Sequence, residues 1–123
     1  MGRRLFDSNV LIDALNGVLA ALAVLEARGS TRCISIMTWL EVMAGTADVA
    51  DELRARALLS RMEVLPLSPA ITEDAWRVRR DSRLKLVDAI ILATARVERI
   101  PLYTRSTKDF DPSDPSIVVP YTV

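Results

Sequence analysis

The sequence contains no histidine. An imidazole base, a histidine-bound zinc or copper and a Ser-His-Asp triad are therefore excluded. One cysteine, Cys33, is present, so neither a disulfide nor a thiolate metal site can form within the chain. Cys33 lies in the apolar run Cys33-Ile34-Ser35-Ile36-Met37, where a buried structural thiol is expected. An unpaired cysteine also fits a reducing compartment. Glycine is scarce: the four residues, at 2, 17, 29 and 45, match neither phosphate-loop nor dinucleotide spacing. Catalysis by such a chain has to rest on carboxylates, hydroxyls, lysine or arginine. Any metal would be a hard, oxygen-seeking cation.

Long apolar runs are missing too. Val18 to Leu25 is the longest near the N-terminus, far short of a bilayer span. Arg3 and Arg4 resemble the start of a signal peptide, but Asp7 and Asp13 interrupt the apolar stretch that should follow. The expected location is the cytoplasm, with no membrane association. Sixteen basic and sixteen acidic residues cancel, so net charge carries no nucleic-acid signal. Locally, Arg77, Arg79, Arg80, Arg83 and Lys85 surround a single acid, Asp81. A solvated helix face accounts for that cluster as well as a polyanion contact does.

With 123 residues, the chain is expected to fold as one domain over 1–123 and to bury about two-thirds of its unfolded surface. Half of its residues are hydrophobic and the mean hydropathy is +0.23. That surplus fits a dimer face or a groove for a partner helix, and equally a generous core.

Helical and extended signals alternate along the chain. Arg3 to Phe6 reads as a strand, and Asp7-Ser8-Asn9 as the polar start of a helix over Val10 to Leu15. Asn16-Gly17 breaks the pattern, which resumes over Val18 to Arg28. Cys33 to Met37 reads as a second strand, and Thr38-Trp39-Leu40-Glu41 has capping-box spacing that opens a helix to Ala44. Another helix starts at Thr46 or Asp48, with Leu53, Ala57 and Leu58 on one face. Glu63 to Leu67 is extended, and Ile71 to Arg83 is helical with Ala75 and Val78 inward. Asp88 opens a helix to Glu98 that is apolar nearly all round, the mark of a buried element. Strands over Pro101 to Tyr103 and Ile117 to Tyr121 complete the chain. Short strands between helices predict an α/β fold with a mostly parallel sheet and helices on both faces.

In such a sheet ligands bind at the carboxyl ends of the strands. Asp7 follows the first strand, Glu41 lies just after the second, and Asp88 heads the buried helix. All three are thus expected at helix starts, where the macrodipole favours an anion. Each has a purely structural role open to it: an N-cap for Asp7 and Asp88, a capping-box arm for Glu41. Each also stands beside strongly apolar sequence (Leu5-Phe6, Trp39-Leu40, Leu86-Val87). If they converge, each like-charged pair at ~5 Å costs roughly 3 kcal/mol at an effective dielectric near 20. A divalent cation such as Mg²⁺ or Mn²⁺ relieves that repulsion and keeps waters for a phosphate and a nucleophile.

Four segments in order resemble the successive motifs of the PIN domain: Leu5-Phe6-Asp7-Ser8-Asn9-Val10-Leu11-Ile12-Asp13, Ser35 to Glu41, Lys85 to Ala95, and Leu102 to Phe110. Length and motif order resemble its VapC-type toxin branch. The resemblance covers nearly the whole chain. It implies a three-layer α/β/α sandwich, metal-dependent cleavage of RNA phosphodiesters, a paired VapB-like antitoxin and a homodimer. Residue by residue, it implies that Asp7, Glu41 and Asp88 are the catalytic, metal-holding acids. Asn9 matches a polar position of the first motif, in which the family usually has Thr where this chain has Ser8. Some members carry an acid where Ser106 stands, and others an Asp before the Phe, as in Asp109-Phe110. Asp109 is accordingly the expected fourth acid and Ser106 a water or substrate contact. Thr104 and Arg105 are candidates to orient or neutralise the phosphate. Arg79, in Val78-Arg79-Arg80, is another candidate, though a surface ion pair would explain it equally. Two other readings stay open: an RNA-processing nuclease without an antitoxin, and a PIN-fold protein that binds RNA or a regulator without cutting.

Overall fold

The computed structural model describes residues 2–122. Its framework is a five-stranded, wholly parallel sheet in the order β3-β2-β1-β4-β5. The strands are β1 (Gly2–Phe6), β2 (Ser30–Ser35), β3 (Glu63–Leu65), β4 (Leu102–Tyr103) and β5 (Ile117–Val118). Six helices connect them: α1 (Ser8–Leu15), α2 (Leu19–Glu26), α3 (Ile36–Ala44), α4 (Val49–Leu59), α5 (Pro69–Asp81) and α6 (Leu86–Glu98). This is the expected α/β/α arrangement.

Alternation along the strands decides what lies on each face. Neighbouring side chains point oppositely, so Phe6 and Ile34 join α1, α2, α3 and α4 in one core. Leu5, Cys33, Leu65, Leu102 and Ile117 join α6 in the other. Each buried Leu, Ile or Phe contributes about 1.5–3 kcal/mol, against about 1 kcal/mol for a hydrogen bond. Burial therefore keeps the two-residue strands β4 and β5 in register. The thiol of Cys33 is buried, as expected, and burial pushes its pKa up to about 11.

Arg4 is a buried charge in β1. Its guanidinium donates to the Val24 and Ala27 carbonyls, both at 2.9 Å, and to the Ser30 hydroxyl. It also lies 5.0 Å from the Phe6 ring centroid. The cation thus meets the last carbonyls of α2, the negative end of that helix. Gly17 (φ 80°) and Gly29 (φ 104°) bracket α2 with backbone that L side chains rarely adopt.

Several boundaries differ from the expected ones. The second strand begins at Ser30 and ends at Ser35, and Ile36 and Met37 are helical. Ser35 caps α3, accepting from the Met37 N–H at 3.1 Å, whereas Thr38 is wholly buried within the helix. Periodicity alone cannot assign so short an apolar run. Glu41 therefore lies inside α3 and forms no capping box. α6 begins at Leu86 without a side-chain cap, so Asp88 occupies its first turn and does not open it. α4 is capped by Asp48 and buries Ala55 and Leu59, leaving Leu53 and Ala57 exposed. Its charges ring the helix, which hides the apolar face from a reading of the sequence. No single helix among the described residues is long and apolar enough to cross a membrane.

Candidate active site

β1 lies between β2 and β4, and the chain runs outward to β3 on one side and to β5 on the other. The strand order reverses between β1 and β4, which opens a crevice at their carboxyl ends. Asp7 and Thr104 are the first residues beyond those two ends. The Asp7 N–H donates to the Tyr103 carbonyl at 2.9 Å.

Asp7 is 5% exposed. Its Oδ1 caps α1, accepting from the Ser8 N–H at 2.8 Å. Its Oδ2 accepts from Thr104 Oγ1 at 2.8 Å and from Asn9 Nδ2 at 3.3 Å. Capping and site geometry coincide in this one side chain. Burial pushes its pKa up to about 6. Donation from Thr104 and Ser8 opposes that rise, and repulsion from Asp88 and Glu41 adds to it. Asn9 spans the crevice: Nδ2 also reaches Thr104 Oγ1 at 3.2 Å, and Oδ1 accepts from the Arg105 N–H at 3.4 Å.

Glu41 projects from α3 and accepts from the Ser8 hydroxyl at 2.5 Å. Ser8 in turn lies 3.2 Å from Thr38 Oγ1. Asp88 is half-buried and accepts no hydrogen bond among the described residues. Burial raises its pKa first, followed by repulsion from Asp109 and Glu41, while Lys85 lowers it. Asp109 is exposed at a turn. Its N–H donates to Ser106 Oγ at 3.2 Å, and Ser106 Oγ donates back to its Oδ2 at 2.9 Å. The four expected acids thus share one electrostatic neighbourhood, with Asp109 at its rim and Ser106 as its turn partner.

Two candidate contacts, Arg105 and Arg79, differ in what holds them. Arg105 is committed to Asp13, donating from Nε at 2.6 Å and from its second nitrogen at 3.3 Å. It is therefore not a free phosphate ligand as the structure stands. The partner acid lies 92 residues away in sequence, so this pairing leaves no local signal. Arg79 is exposed on α5 and makes no ion pair with the acids among the described residues. Four participants escaped the sequence reading: Ser8, Thr38, Asp13 and Tyr121. Tyr121 donates to Asp13 Oδ2 at 2.7 Å. Ser8 had a local signal, since it stands between Asp7 and Asn9. Tyr121 had none.

Among the described residues, no three acids converge closely enough to clasp an ion as their side chains stand. The chemistry of the donor set nevertheless fits a hard divalent cation. Every donor is a carboxylate, burial and then repulsion from neighbouring acids raise Asp7 and Asp88, and the oxygens of Asp88 have no donor facing them among the described residues. Asp7, Glu41, Asp88 and Asp109 are the residues that could hold the ion, with oxygen ligands of the kind Mg²⁺ or Mn²⁺ takes.

A family model described as PIN domain matches residues 4–111. No curated protein matches the chain at a significant level. Among solved structures, it is similar to a chain of a toxin–antitoxin complex from Klebsiella pneumoniae, at 43% identity and a TM-score of 0.89. That match covers 98% of this chain and 99% of the other. It is also similar to a chain of VapBC2 from Rickettsia felis bound to a promoter DNA fragment, at 20% identity and a TM-score of 0.74, covering 94% and 96%. A third match is to FitAcB from Neisseria gonorrhoeae, at 21% identity and a TM-score of 0.78, covering 95% and 97%. The last two show the shared fold.

Proposed function

The chain belongs to the PIN-domain family, and on that premise we propose that it is a metal-dependent ribonuclease and the toxin of a type II toxin–antitoxin pair. The observation that carries the chemistry is the gathering of carboxylates at one end of the sheet, where Asp7, buried and held by Ser8, Asn9 and Thr104, feels Asp88 and Glu41, and Asp88 feels Glu41 and Asp109. Carboxylates so arranged destabilise the protein unless a cation or proton joins them. The toxin assignment is supported by the 43% identical chain, which comes from a toxin–antitoxin complex.

Asp7, Glu41, Asp88 and Asp109 would hold Mg²⁺ or Mn²⁺. When bound, the ion supplies Lewis acidity toward a phosphate oxygen and lowers the pKa of a water. The chain's own groups prepare the site. Thr104 and Asn9 aim the Asp7 carboxylate, and Ser8 aims Glu41. Lys85 offsets charge at Asp88. Such supporting donors keep ligands oriented before the substrate arrives. Thr104 and Asn9 are already engaged with Asp7, so their role toward RNA is indirect. Ser106 and Arg79 remain candidate RNA contacts.

An antitoxin segment would dock on the face formed by α1, α3 and α4, a reading supported by a cavity there. A cavity of about 140 Å³ between α1, α3 and α4 is lined by Ile12, Leu15, Val42 and Ala55, with Asp51 and Arg54 at its polar side. Homodimerisation is part of the same proposal, supported by exposed Leu40, Val49 and Leu53. The test is expression of the chain alone. Wild type should arrest growth, Glu41→Gln should not, and RNA ends mapped from arrested cells should show defined cuts. Normal growth with intact RNA at verified expression would overturn the toxin assignment. Cleavage by the purified protein without growth arrest would instead favour a processing nuclease.

A further inference from the structure

We propose that Trp76, Arg79, Arg80 and Arg83 form a stacking platform that seats an unpaired base and its flanking phosphates beside the acid cluster; this rests on the ribonuclease reading above. Positions 76, 79 and 80 share one face of α5 by their i, i+3, i+4 spacing, away from the buried Ile71, Ala75 and Val78. Trp76 is 55% exposed and is the single large apolar side chain that α5 leaves in solvent. The Arg80 guanidinium lies 4.8 Å from its ring centroid. Asp81 fixes that guanidinium through two hydrogen bonds, at 2.8 and 3.1 Å.

Charge chooses the occupant. Arg79, Arg83 and Lys85 make no ion pair among the described residues, so positions 79–85 carry uncompensated positive charge on a chain whose net charge is zero. This stretch leads into α6, and Lys85 already acts on Asp88. A polyanion laid along it arrives at the acids. Single-stranded nucleic acid is held by such a pairing, phosphates on arginine and a base face on an aromatic ring. Base-paired RNA offers no free face. Trp and Arg also anchor protein interfaces, but there they sit among apolar neighbours. Here the α5 positions one turn to either side of Trp76, Thr72, Glu73, Arg79 and Arg80, are all exposed and polar.

The test titrates the cleavage-disabled Asp88→Asn chain with a single-stranded 12-nucleotide oligouridylate and with a 12-base-pair RNA duplex, following tryptophan fluorescence for stacking and calorimetry for affinity. The single strand should quench emission and the duplex should not. Trp76→Ala should abolish the quench and weaken binding about ten-fold, and Trp76→Phe should recover most of the affinity. Replacing Arg79 and Arg83 by alanine should lower the slope of log affinity against log salt by about 0.7 for each. Parental affinity in Trp76→Ala, or equal quenching by duplex, overturns the platform. So does a change of oligomeric state in Trp76→Ala with RNA affinity unchanged, which would make the stripe a protein interface. If wild type cuts RNA with Mn²⁺ while these variants bind like the parent, the platform falls and the ribonuclease stands. If wild type cuts no RNA, both fall.

Discussion

Arg105 is held by Asp13, with Nε 2.6 Å from Oδ2, and Tyr121 donates to the same oxygen at 2.7 Å. Asp13 is 7% exposed, so the network ties α1, the loop after β4 and the C-terminal segment together. Tyr121→Phe should lose about 1.5–3 kcal/mol, one hydrogen bond to a carboxylate. Asp13→Asn should lose about 1–3 kcal/mol, because Arg105 is then left without its counter-ion. A double-mutant cycle by chemical denaturation checks that the two losses are coupled. Strict additivity would contradict a shared network.

Asp7 makes metal-free stability depend on pH. Its folded pKa is about 6 against an ordinary 3.8. Between those values the folded chain binds more protons than the unfolded one, so stability falls as pH rises. The favourable contribution is full below about pH 4 and gone above about pH 6, a span of about 3 kcal/mol. Asp7→Asn should flatten that part of the profile and at pH 7 equal or exceed wild type in EDTA. Added Mn²⁺ should raise the wild-type melting temperature more than the mutant's. Parallel pH profiles for the two proteins would contradict the repulsion account.

Much of this was legible in the sequence, for identifiable reasons. Leu5-Phe6 ahead of Asp7 marks a buried strand ending in a polar turn, and the apolar Ala89 to Ala95 stretch marks the central helix. The acids could be picked out because little else in a histidine-free chain can do chemistry. Helix starts were harder. Ser35 outcompetes Thr38 as the cap of α3 through a hydrogen bond that spacing does not distinguish. Partners distant in the chain were not legible at all. Neither the clasp of Arg105 by Asp13 nor the donation from Thr104 to Asp7, 97 residues apart, leaves a local signature.

Ser8 orients Glu41 through its hydroxyl. Ser8→Ala should weaken Mn²⁺ binding by about ten-fold, the usual range for a group that positions a ligand. Ser8→Thr keeps the hydroxyl and should retain most of the affinity. Calorimetric titration of both variants decides whether the hydroxyl or merely the packing matters.

Asp109 meets Ser106 through two reciprocal hydrogen bonds and also raises the pKa of Asp88. Asp109→Asn preserves the turn, since Asn caps nearly as well as Asp, but removes the charge. Mn²⁺ affinity should drop, by less than in Asp88→Asn, while the melting temperature in EDTA stays the same or rises. Unchanged Mn²⁺ affinity would reduce the site to Asp7, Glu41 and Asp88.

The most direct measurement is the rate of RNA cleavage by purified wild type and Asp88→Asn as Mn²⁺ is titrated from EDTA to saturation. Asp88 lacks a hydrogen-bond donor and caps no helix, so the amide should fold normally. Wild-type cleavage should rise from zero with Mn²⁺ and return to zero on chelation. The mutant, with an unchanged circular dichroism spectrum, should stay at least a hundred-fold slower, about 2.7 kcal/mol of lost transition-state stabilisation. Cleavage by wild type in EDTA, or wild-type rates from Asp88→Asn, would contradict a carboxylate-held metal as the source of activity.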